Sequence, residues 1–202
     1  MKTEVVVRKA TAGDTRQLKG MLAAAFQDDP ALSWAAPSAG RRERYGPGYF
    51  EILLRRTYLP KGEVYMTEGA SAVALWAPPE KWLEPLTASL PFLPAMLRAC
   101  GRNLLTAFRM LSLMEAKHKE HAEPHYYLAY IATDPAKQGR GYGTALLRDM
   151  LGRCDAQGIP AYLEATSMRN QALYHSHGFS IVEELNWPGG GPPFWRMWRE
   201  PR

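Results

Sequence analysis

The stretch Gln138-Gly139-Arg140-Gly141-Tyr142-Gly143 decides how the rest of the chain is interpreted. It lies between a predicted strand and a predicted helix, and its three glycines leave backbone N–H groups unshielded. A helix exposes unpaired N–H donors in its first turn, and its dipole favours an anion there. The stretch therefore predicts a phosphate-binding loop, to which Arg140 adds a positive charge.

Two common phosphate-binding patterns do not fit this stretch. The P-loop pattern GxxxxGK[ST] ends in a Lys-Ser/Thr pair that is absent here, and the pattern GxGxxG needs glycine where the chain has Thr144. The preceding strand contains Tyr126, Tyr127 and Tyr130, whereas a fully buried parallel strand is mostly aliphatic. Nucleotide loops of these two types are therefore disfavoured.

The composition of the chain is that of an ordinary globular protein. Of its 202 residues, 46% are hydrophobic and 22% are charged. No apolar run approaches the roughly 18 residues of a membrane span, and the apolar stretch near Met1 is too short for a signal peptide. We therefore expect a cytoplasmic protein with no membrane partner. The net charge of +5 attracts anions of many kinds and does not choose among them.

Predicted strands and helices follow one another in a mixed order. Strands are predicted at 4–9, 63–67, 71–77, 125–133, 161–166, 179–185 and 194–198. Helices are predicted from Asp14 to the stop at Asp28-Asp29-Pro30, at 48–58, 93–121 and 170–175, and from the glycine loop to Gln157. This order predicts an α/β (α+β) class with one central sheet in a single domain, 1–202. The 46 residues from 78 to 123 hardly bury a core of their own, so they are predicted to be a helical insertion.

Two motifs resemble the GCN5-related N-acetyltransferases, the GNAT family. The glycine stretch matches that family's Q/R-x-x-G-x-G/A signature for acetyl-CoA, and 131–135 is similar to the end of the family's fourth strand. The run from Leu163 to Phe179 resembles the fifth strand and following helix of the family. Segments 23–30, 72–76 and 195–199 are similar to puromycin N-acetyltransferase-like members, except that Asp29 stands where that subgroup has tyrosine. Puromycin itself is therefore not expected as the substrate.

The resemblance implies a mixed, largely antiparallel sheet flanked by helices, with acetyl-CoA as cofactor and a small-molecule amine as substrate. It implies that 131–133 splays from its neighbouring strand and binds the pantetheine arm, while amides of the glycine loop hold the pyrophosphate. The implied cofactor-binding residues are Ile131, Ala132, Thr133, Gln138, Gly139, Arg140, Gly141, Tyr142, Gly143, Thr144 and Asn170.

Tyr174 and Glu164 are the candidate catalytic residues. The resemblance implies that Tyr174 gives a proton to the departing thiolate, and a tyrosine with a pKa of about 10 suits a thiol with a pKa of about 8.5. Glu164 is the candidate base for the attacking amine because it interrupts an otherwise apolar strand. The alternative for Glu164 is a structural carboxylate that anchors a neighbouring backbone group or arginine.

Other residues are candidates for the acceptor side of the reaction. Asp29 and Tyr127 are the predicted substrate-binding residues; Asp28 and Asp29 either attract a cationic amine or only end a helix. His125 and Tyr127 are candidates to line a water chain, with a surface position at the start of a strand as the alternative. Trp187, Trp195 and Trp198 form either an apolar acceptor wall or a contact in a homodimer.

Two features are interpreted as structural. Cys154 falls on the apolar face of its helix and is predicted to lie in the core. The polar residues near the end of the insertion lack the HExxH pattern, and we expect a solvated helix face with no metal there; they are Glu115, His118, Glu120 and His121.

Three alternatives remain at this stage. A non-catalytic acyl-CoA-binding module would keep the glycine loop and transfer nothing, and an acetyltransferase for protein amines would share every motif above. A nucleic-acid-binding protein would lose affinity steeply with salt. No recognition helix, aromatic-plus-basic sheet motif or zinc spacing supports a nucleic-acid partner.

Overall fold

Seven strands form one sheet in the residues that the computed structural model describes, which are 5–79, 81, 91–121 and 123–202. The spatial order is β1-β2-β3-β4-β5-β7-β6, and only β4 and β5 pair in parallel. This confirms the predicted mixed, largely antiparallel sheet. The strands are β1 (Val7–Lys9), β2 (Val64–Thr67), β3 (Ala72–Ala77), β4 (Tyr126–Thr133), β5 (Ala161–Ala165), β6 (Ser180–Asn186) and β7 (Pro193–Arg199).

Helices cover both faces of this sheet. Helix α3 continues into a π-helical turn at Leu53–Tyr58. Within the described residues, no helix combines the length and the apolar character that crossing a bilayer requires. The helices are α1 (Thr15–Ala25), α2 (Pro30–Ala35), α3 (Ala39–Ile52), α4 (Leu93–Cys100), α5 (Leu104–His118), α6 (Tyr142–Gln157) and α7 (Met168–Ser176).

The alternation of side chains along β3 explains the two main layers of the core. Ala72, Ala74 and Trp76 pack with the apolar residues of α6 on one face of the sheet. Val73 and Leu75 pack on the other face, with residues of α1, α3 and the π-helical turn. All six residues of β3 are buried, as expected of a strand covered on both faces. Cys154 is buried in the α6 layer, which confirms its predicted core position.

The helices before β2 differ from the prediction in two ways: one helix was missed, and another begins earlier than predicted. Helix α2 was not predicted; it begins at Pro30, and Asp29 accepts a hydrogen bond from the Leu32 N–H at 3.0 Å. Proline suits the first position of a helix and Asp suits the N-cap, so the predicted stop of one helix is the start of the next. Helix α3 begins at Ala39 with Ser38 as its N-cap, well before the predicted start at Gly48.

The inserted segment contains α4 and α5, which meet at Gly101, where φ is +56°. A helical pattern broken at that glycine was predicted. The predicted insertion also includes 80, 82–90 and 122, which lie outside the described residues, as does the predicted strand start at residue 4. The assignment of the whole chain to one domain stays a prediction.

Strand β4 is longer than its pairing with β5. The parallel ladder joins 126–128 of β4 to 161–163 of β5, whereas the antiparallel ladder with β3 continues to Thr133. Among the described strands, none pairs with 129–133 on the β5 side. The sheet therefore opens between β4 and β5, and the candidate site lies in this opening.

Candidate active site

A cavity of about 630 Å³ occupies the opening between β4 and β5. Strand β4 lines it with 127–131, β5 contributes Glu164, and α7 contributes Asn170 and Tyr174. Helices α4 and α5 contribute Met96, Met110, Met114 and His118, so the insertion forms part of the cavity wall. Both predicted catalytic residues and both predicted substrate-binding residues line this one cavity.

The Glu164 carboxyl is in an unusual environment for an acid. On β5 it shares a face with Tyr162, opposite the face that packs on α6. Its Oε1 atom is buried and accepts no hydrogen bond from the described residues. Burial raises the pKa of Glu164 to about 7, while the hydroxyls of Tyr127 and Tyr162 and the charge of Arg196 act to lower it. A carboxyl that titrates near neutral pH has the property a general base needs.

The Tyr174 side chain has the opposite property. It is buried on α7 and lines the same cavity. Burial, with a smaller contribution from the charge of Asp29, raises the pKa of its hydroxyl above the ordinary value. Tyr174 therefore keeps its proton throughout the physiological range and is available as an acid.

Asp29 faces the cavity but already has two hydrogen-bond partners. Its Oδ1 caps α2 through Leu32, and its Oδ2 accepts from the Thr166 hydroxyl at 2.6 Å. It joins the start of α2 to the residue that follows β5. A carboxylate oxygen has more than one acceptor position, so these bonds are compatible with a cationic amine beside Asp29.

A buried pair of histidines lies behind Tyr127. The two Nε2 atoms of His118 and His125 are 2.6 Å apart, and His125 Nδ1 is 2.7 Å from the Glu123 carbonyl oxygen. A carbonyl only accepts, so Nδ1 of His125 donates, and a neutral His125 then accepts from His118 at Nε2. Burial lowers the pKa of His118 to about 2 and lowers that of His125.

These contacts correct two predictions. His118 is buried rather than on a solvated face, and its ring contacts that of Tyr127 with centroids 4.5 Å apart. His125 is likewise buried, so the alternative of a surface position at the strand start is wrong for it. Helical spacing alone does not show which face of α5 the sheet covers.

Aromatic side chains that the sequence reasoning did not assign to the site form the apolar wall of the cavity. Tyr130 contacts Phe26 and Phe50 edge-on, with centroids 5.5 and 5.8 Å apart, and its hydroxyl lies 3.2 Å from that of Tyr49. Phe92 packs against Tyr49. Tyr49 lies inside the predicted helix 48–58 but was given no role there, and Phe26 was recognised only as an apolar helix position.

The three tryptophans do not form one wall. Trp187 lines the cavity and stacks on Phe194 with centroids 4.0 Å apart. Trp195 packs in the α6 layer of the core, and Trp198 stacks on His121. A homodimer contact stays a prediction.

The predicted cofactor loop has an open backbone at the start of α6. Gly139 and Gly141 have left-handed φ values of +77° and +83°, and a Cβ built on either meets no atom within 4 Å. Gly141 is the N-cap of α6. A Cβ on Gly143 would lie 3.8 Å from Thr133 Oγ1, so the loop reaches the end of β4. This open, glycine-lined helix start fits a pyrophosphate.

The remaining predicted cofactor residues occupy different environments around this loop. Ile131 and Asn170 line the cavity, whereas Ala132 is buried in the layer beside α1 and α3. Gln138 and Arg140 are exposed, and Tyr142, Thr133 and Thr144 are partly buried. The structure thus brings the end of β4, the start of α6 and one face of α7 to the same side of the opening.

The sequence model of the acetyltransferase (GNAT) family matches residues 99–179, which include β4, the glycine loop, β5 and α7. Over this part of the chain, the sequence is similar to the GNAT family. An uncharacterised N-acetyltransferase of Schizosaccharomyces pombe is 24% identical over 190 residues, covering 90% of this chain and 76% of the relative. The family match, this relative and the solved structures together support an acetyl-CoA-dependent N-acetyltransferase.

Solved structures agree with this GNAT fold over almost the whole chain. A Corynebacterium glutamicum protein described as histone acetyltransferase HPA2 and related acetyltransferase is 26% identical, with a TM-score of 0.74 and coverage of 99% of this chain and 98% of that one. A Drosophila melanogaster polyamine N-acetyltransferase is 16% identical, with a TM-score of 0.64 and coverage of 98% and 100%. Arylalkylamine N-acetyltransferase 2 of Aedes aegypti is 13% identical, with a TM-score of 0.68 and coverage of 99% and 100%. At these last two identities the likeness concerns the fold alone.

Proposed function

We propose that this GNAT enzyme acetylates the amine of a small molecule that carries an aromatic or branched apolar group. The observation that carries the proposal is the single cavity in which a near-neutral carboxyl, a protonated tyrosine and an aromatic wall face one another. Fold neighbours named for polyamines, agmatine and arylalkylamines are consistent with a small amine as acceptor.

The cofactor half of the reaction is assigned to the loop and the opening. Backbone N–H groups of 138–144 hold the pyrophosphate of acetyl-CoA, and the β5-side backbone of 131–133 receives the pantetheine arm. Asn170, which lines the cavity, contacts the same arm. Acetyl-CoA supplies the acetyl thioester, whose carbonyl oxygen is polarised by backbone donors of β4.

Glu164 and Tyr174 move the two protons of the transfer. Glu164 takes a proton from the ammonium form of the acceptor, and the neutral amine then forms a bond to the acetyl carbon. The carbon–sulfur bond breaks, Tyr174 gives its proton to the departing sulfur, and the second proton lost by the nitrogen restores the Tyr174 hydroxyl. The amine ends as an amide and the cofactor as a thiol, with no covalent bond to the enzyme.

The charges and walls of the cavity favour a particular kind of amine. Asp29, Glu115 and Glu164 line it, whereas Arg42 is the one Lys or Arg among the described lining residues. This excess of carboxyl groups attracts an ammonium. The remaining wall is largely apolar, so a molecule with a single amine and a ring buries more apolar surface there than a long polyamine. The likeness to the puromycin-specific subgroup stays a prediction.

The first test is a thermal-shift titration with acetyl-CoA, compared with ATP and NAD at equal concentration. At a hundredfold excess over Kd, a ligand that binds only the folded state stabilises it by about 2.7 kcal/mol. For a chain of this size that is roughly 5 to 10 °C of Tm. We expect a shift with acetyl-CoA alone, and a shift shared with ATP and NAD would contradict the cofactor assignment.

The second test measures thiol release with three amines: phenethylamine, spermidine and a lysine-containing peptide. We expect the highest kcat/KM with phenethylamine. Preference for spermidine or for the peptide would overturn the proposed acceptor class. Binding of acetyl-CoA with no transfer to any amine would favour a non-catalytic binding module.

A further inference from the structure

Arg196 places a buried positive charge beside the candidate base. Its side chain on β7 is 2% exposed. Nη1 lies 2.8 Å from Glu120 Oε2 and 2.5 Å from Glu183 Oε2, and Nη2 donates to the Lys117 carbonyl at 2.7 Å. A buried guanidinium is stable only when its donors are satisfied in this way.

The sheet register puts this charge opposite Glu164. In the antiparallel ladder of β5 and β7, Glu164 and Arg196 are direct partners, and the Cβ atoms of such partners are about 5 Å apart. Arg196 Nε also donates to the Tyr162 hydroxyl at 3.1 Å. Because that hydroxyl accepts from Arg196, its own hydrogen remains available for the carboxyl of Glu164, which it neighbours.

The other groups around Glu164 do not supply a competing positive charge. Tyr127 approaches from β4 as a neutral hydroxyl. His118 of α5 lines the same cavity, and its burial keeps the imidazole neutral. Asp29 also lines the cavity and, as an acidic side chain, supplies no positive charge. Arg196 is therefore the cation that faces Glu164 among the described residues of these elements.

We infer that Arg196 is a positioning residue that stabilises the carboxylate form of Glu164 and so adjusts this base to neutral pH. The inference rests on the proposed role of Glu164. Burial raises the pKa of Glu164, and a carboxyl that stays protonated takes no proton from an amine. The hydroxyls of Tyr127 and Tyr162 lower this pKa, and the charge of Arg196 lowers it further, both directly and through its hydrogen bond to Tyr162.

The test is a series of charge variants in which the acid limb of the kcat/KM-versus-pH profile is measured. Arg196→Gln removes the cation, and the limb should move up by about one pH unit. Arg196→Lys keeps a cation and should return the limb most of the way to that of the unmodified enzyme. Glu183→Gln removes an anion that partly neutralises Arg196 and should move the limb in the opposite direction, by a smaller amount.

Arg199→Gln is the matched control. Arg199 is also a buried arginine of β7, but it pairs with Asp155 at 2.7 Å and does not line the cavity. Its loss should lower Tm and leave the limb in place. If Arg196→Gln does not fold, Arg196→Lys and Glu183→Gln still carry the test, since the latter leaves the arginine intact. An unmoved limb in Glu183→Gln and Arg196→Gln would overturn the inference.

Glu164→Gln separates this inference from the proposed function. If Glu164 is the base, the glutamine variant loses the acid limb together with most of kcat. A Glu164→Gln profile that superimposes on that of the unmodified enzyme would remove Glu164 as the base, whatever the Arg196 variants do. Loss of the limb in Glu164→Gln, with no response to Arg196 or Glu183, would leave the base in place and reject only the role of Arg196.

Discussion

Tyr174 and Glu164 show how burial gives opposite properties to two acids in one cavity. Removal from water disfavours the charged form of both, so both pKa values rise. Glu164 starts from a low value and arrives near 7, whereas Tyr174 starts near 10 and moves further away from neutrality. One environment thus produces a group that can accept a proton and a group that can give one.

Tyr174→Phe is predicted to lower kcat about 100-fold or more, because the departing thiolate loses its positioned proton donor. The Kd for acetyl-CoA should change little, since the ring and its packing against Phe179 are kept. Stopped-flow or steady-state thiol release measures kcat, and calorimetry measures Kd. An unchanged kcat would exclude Tyr174 as the acid.

At the scale of elements, the opening between β4 and β5 creates the candidate site. β4 keeps its ladder with β3 to Thr133 while the ladder with β5 ends at Leu128. The unpaired backbone of β4 and the first turn of α6 then face the same space. Helices α4 and α5 close part of that space with apolar side chains, which exclude water and strengthen electrostatic interactions inside.

Gly141→Ala is predicted to weaken acetyl-CoA binding at least 10-fold. Gly141 has φ +83°, which an alanine adopts only with strain, so the substitution shifts the backbone donors at the start of α6. Gly158→Ala is the matched control at the other end of the same helix, where φ is +66° and a Cβ also meets no atom within 4 Å. Both variants should lose about 1 kcal/mol of unfolding free energy.

Calorimetric titration with acetyl-CoA distinguishes these two glycine variants. Only Gly141→Ala should show the loss of affinity. Equal Kd values in the two variants would mean that the loop does not hold the cofactor through its backbone.

At the scale of the whole molecule, polar contacts join the insertion to the sheet. Arg196 ties the end of α5 to β6 through Lys117 and Glu183, and His118 of α5 contacts His125, which precedes β4. The cavity wall contributed by the insertion therefore depends on buried polar groups as well as apolar packing.

The buried His118 makes stability depend on pH in a definite direction. Its folded-state pKa of about 2 lies below the value of about 6.5 for an unfolded histidine, so below pH 6.5 the unfolded chain binds a proton that the folded chain does not. The stability contribution is complete above pH 6.5 and is lost as the pH falls. We predict a loss of about 1.4 kcal/mol per pH unit for this group.

Urea unfolding at several pH values between 7.5 and 4.5 measures this slope. His118→Phe should reduce the slope by about one proton. An identical slope in His118→Phe would show that His118 is charged in the folded state.

Most of the fold was predictable because it depends on short-range patterns. Alternation located β2 to β7 closely, and the two helical stretches of the insertion were expected to break at Gly101. Helix α2 was missed because six residues show too little periodicity, and α3 begins early because packing of Tyr49 and Phe50 outweighs the glycines and Pro47 before them.

The sequence by itself predicted the glycine loop, since glycines at alternate positions before a helix start leave backbone donors open to an anion. It also singled out Glu164 and Tyr174, but not their chemical states. Those states depend largely on other parts of the chain. They are the α5 side chains that cover the cavity, Tyr127 of β4, Tyr162 of β5 and the charge of Arg196. Only the tertiary structure decides these states, because burial and the position of an opposite charge are set mainly by the packing of distant segments.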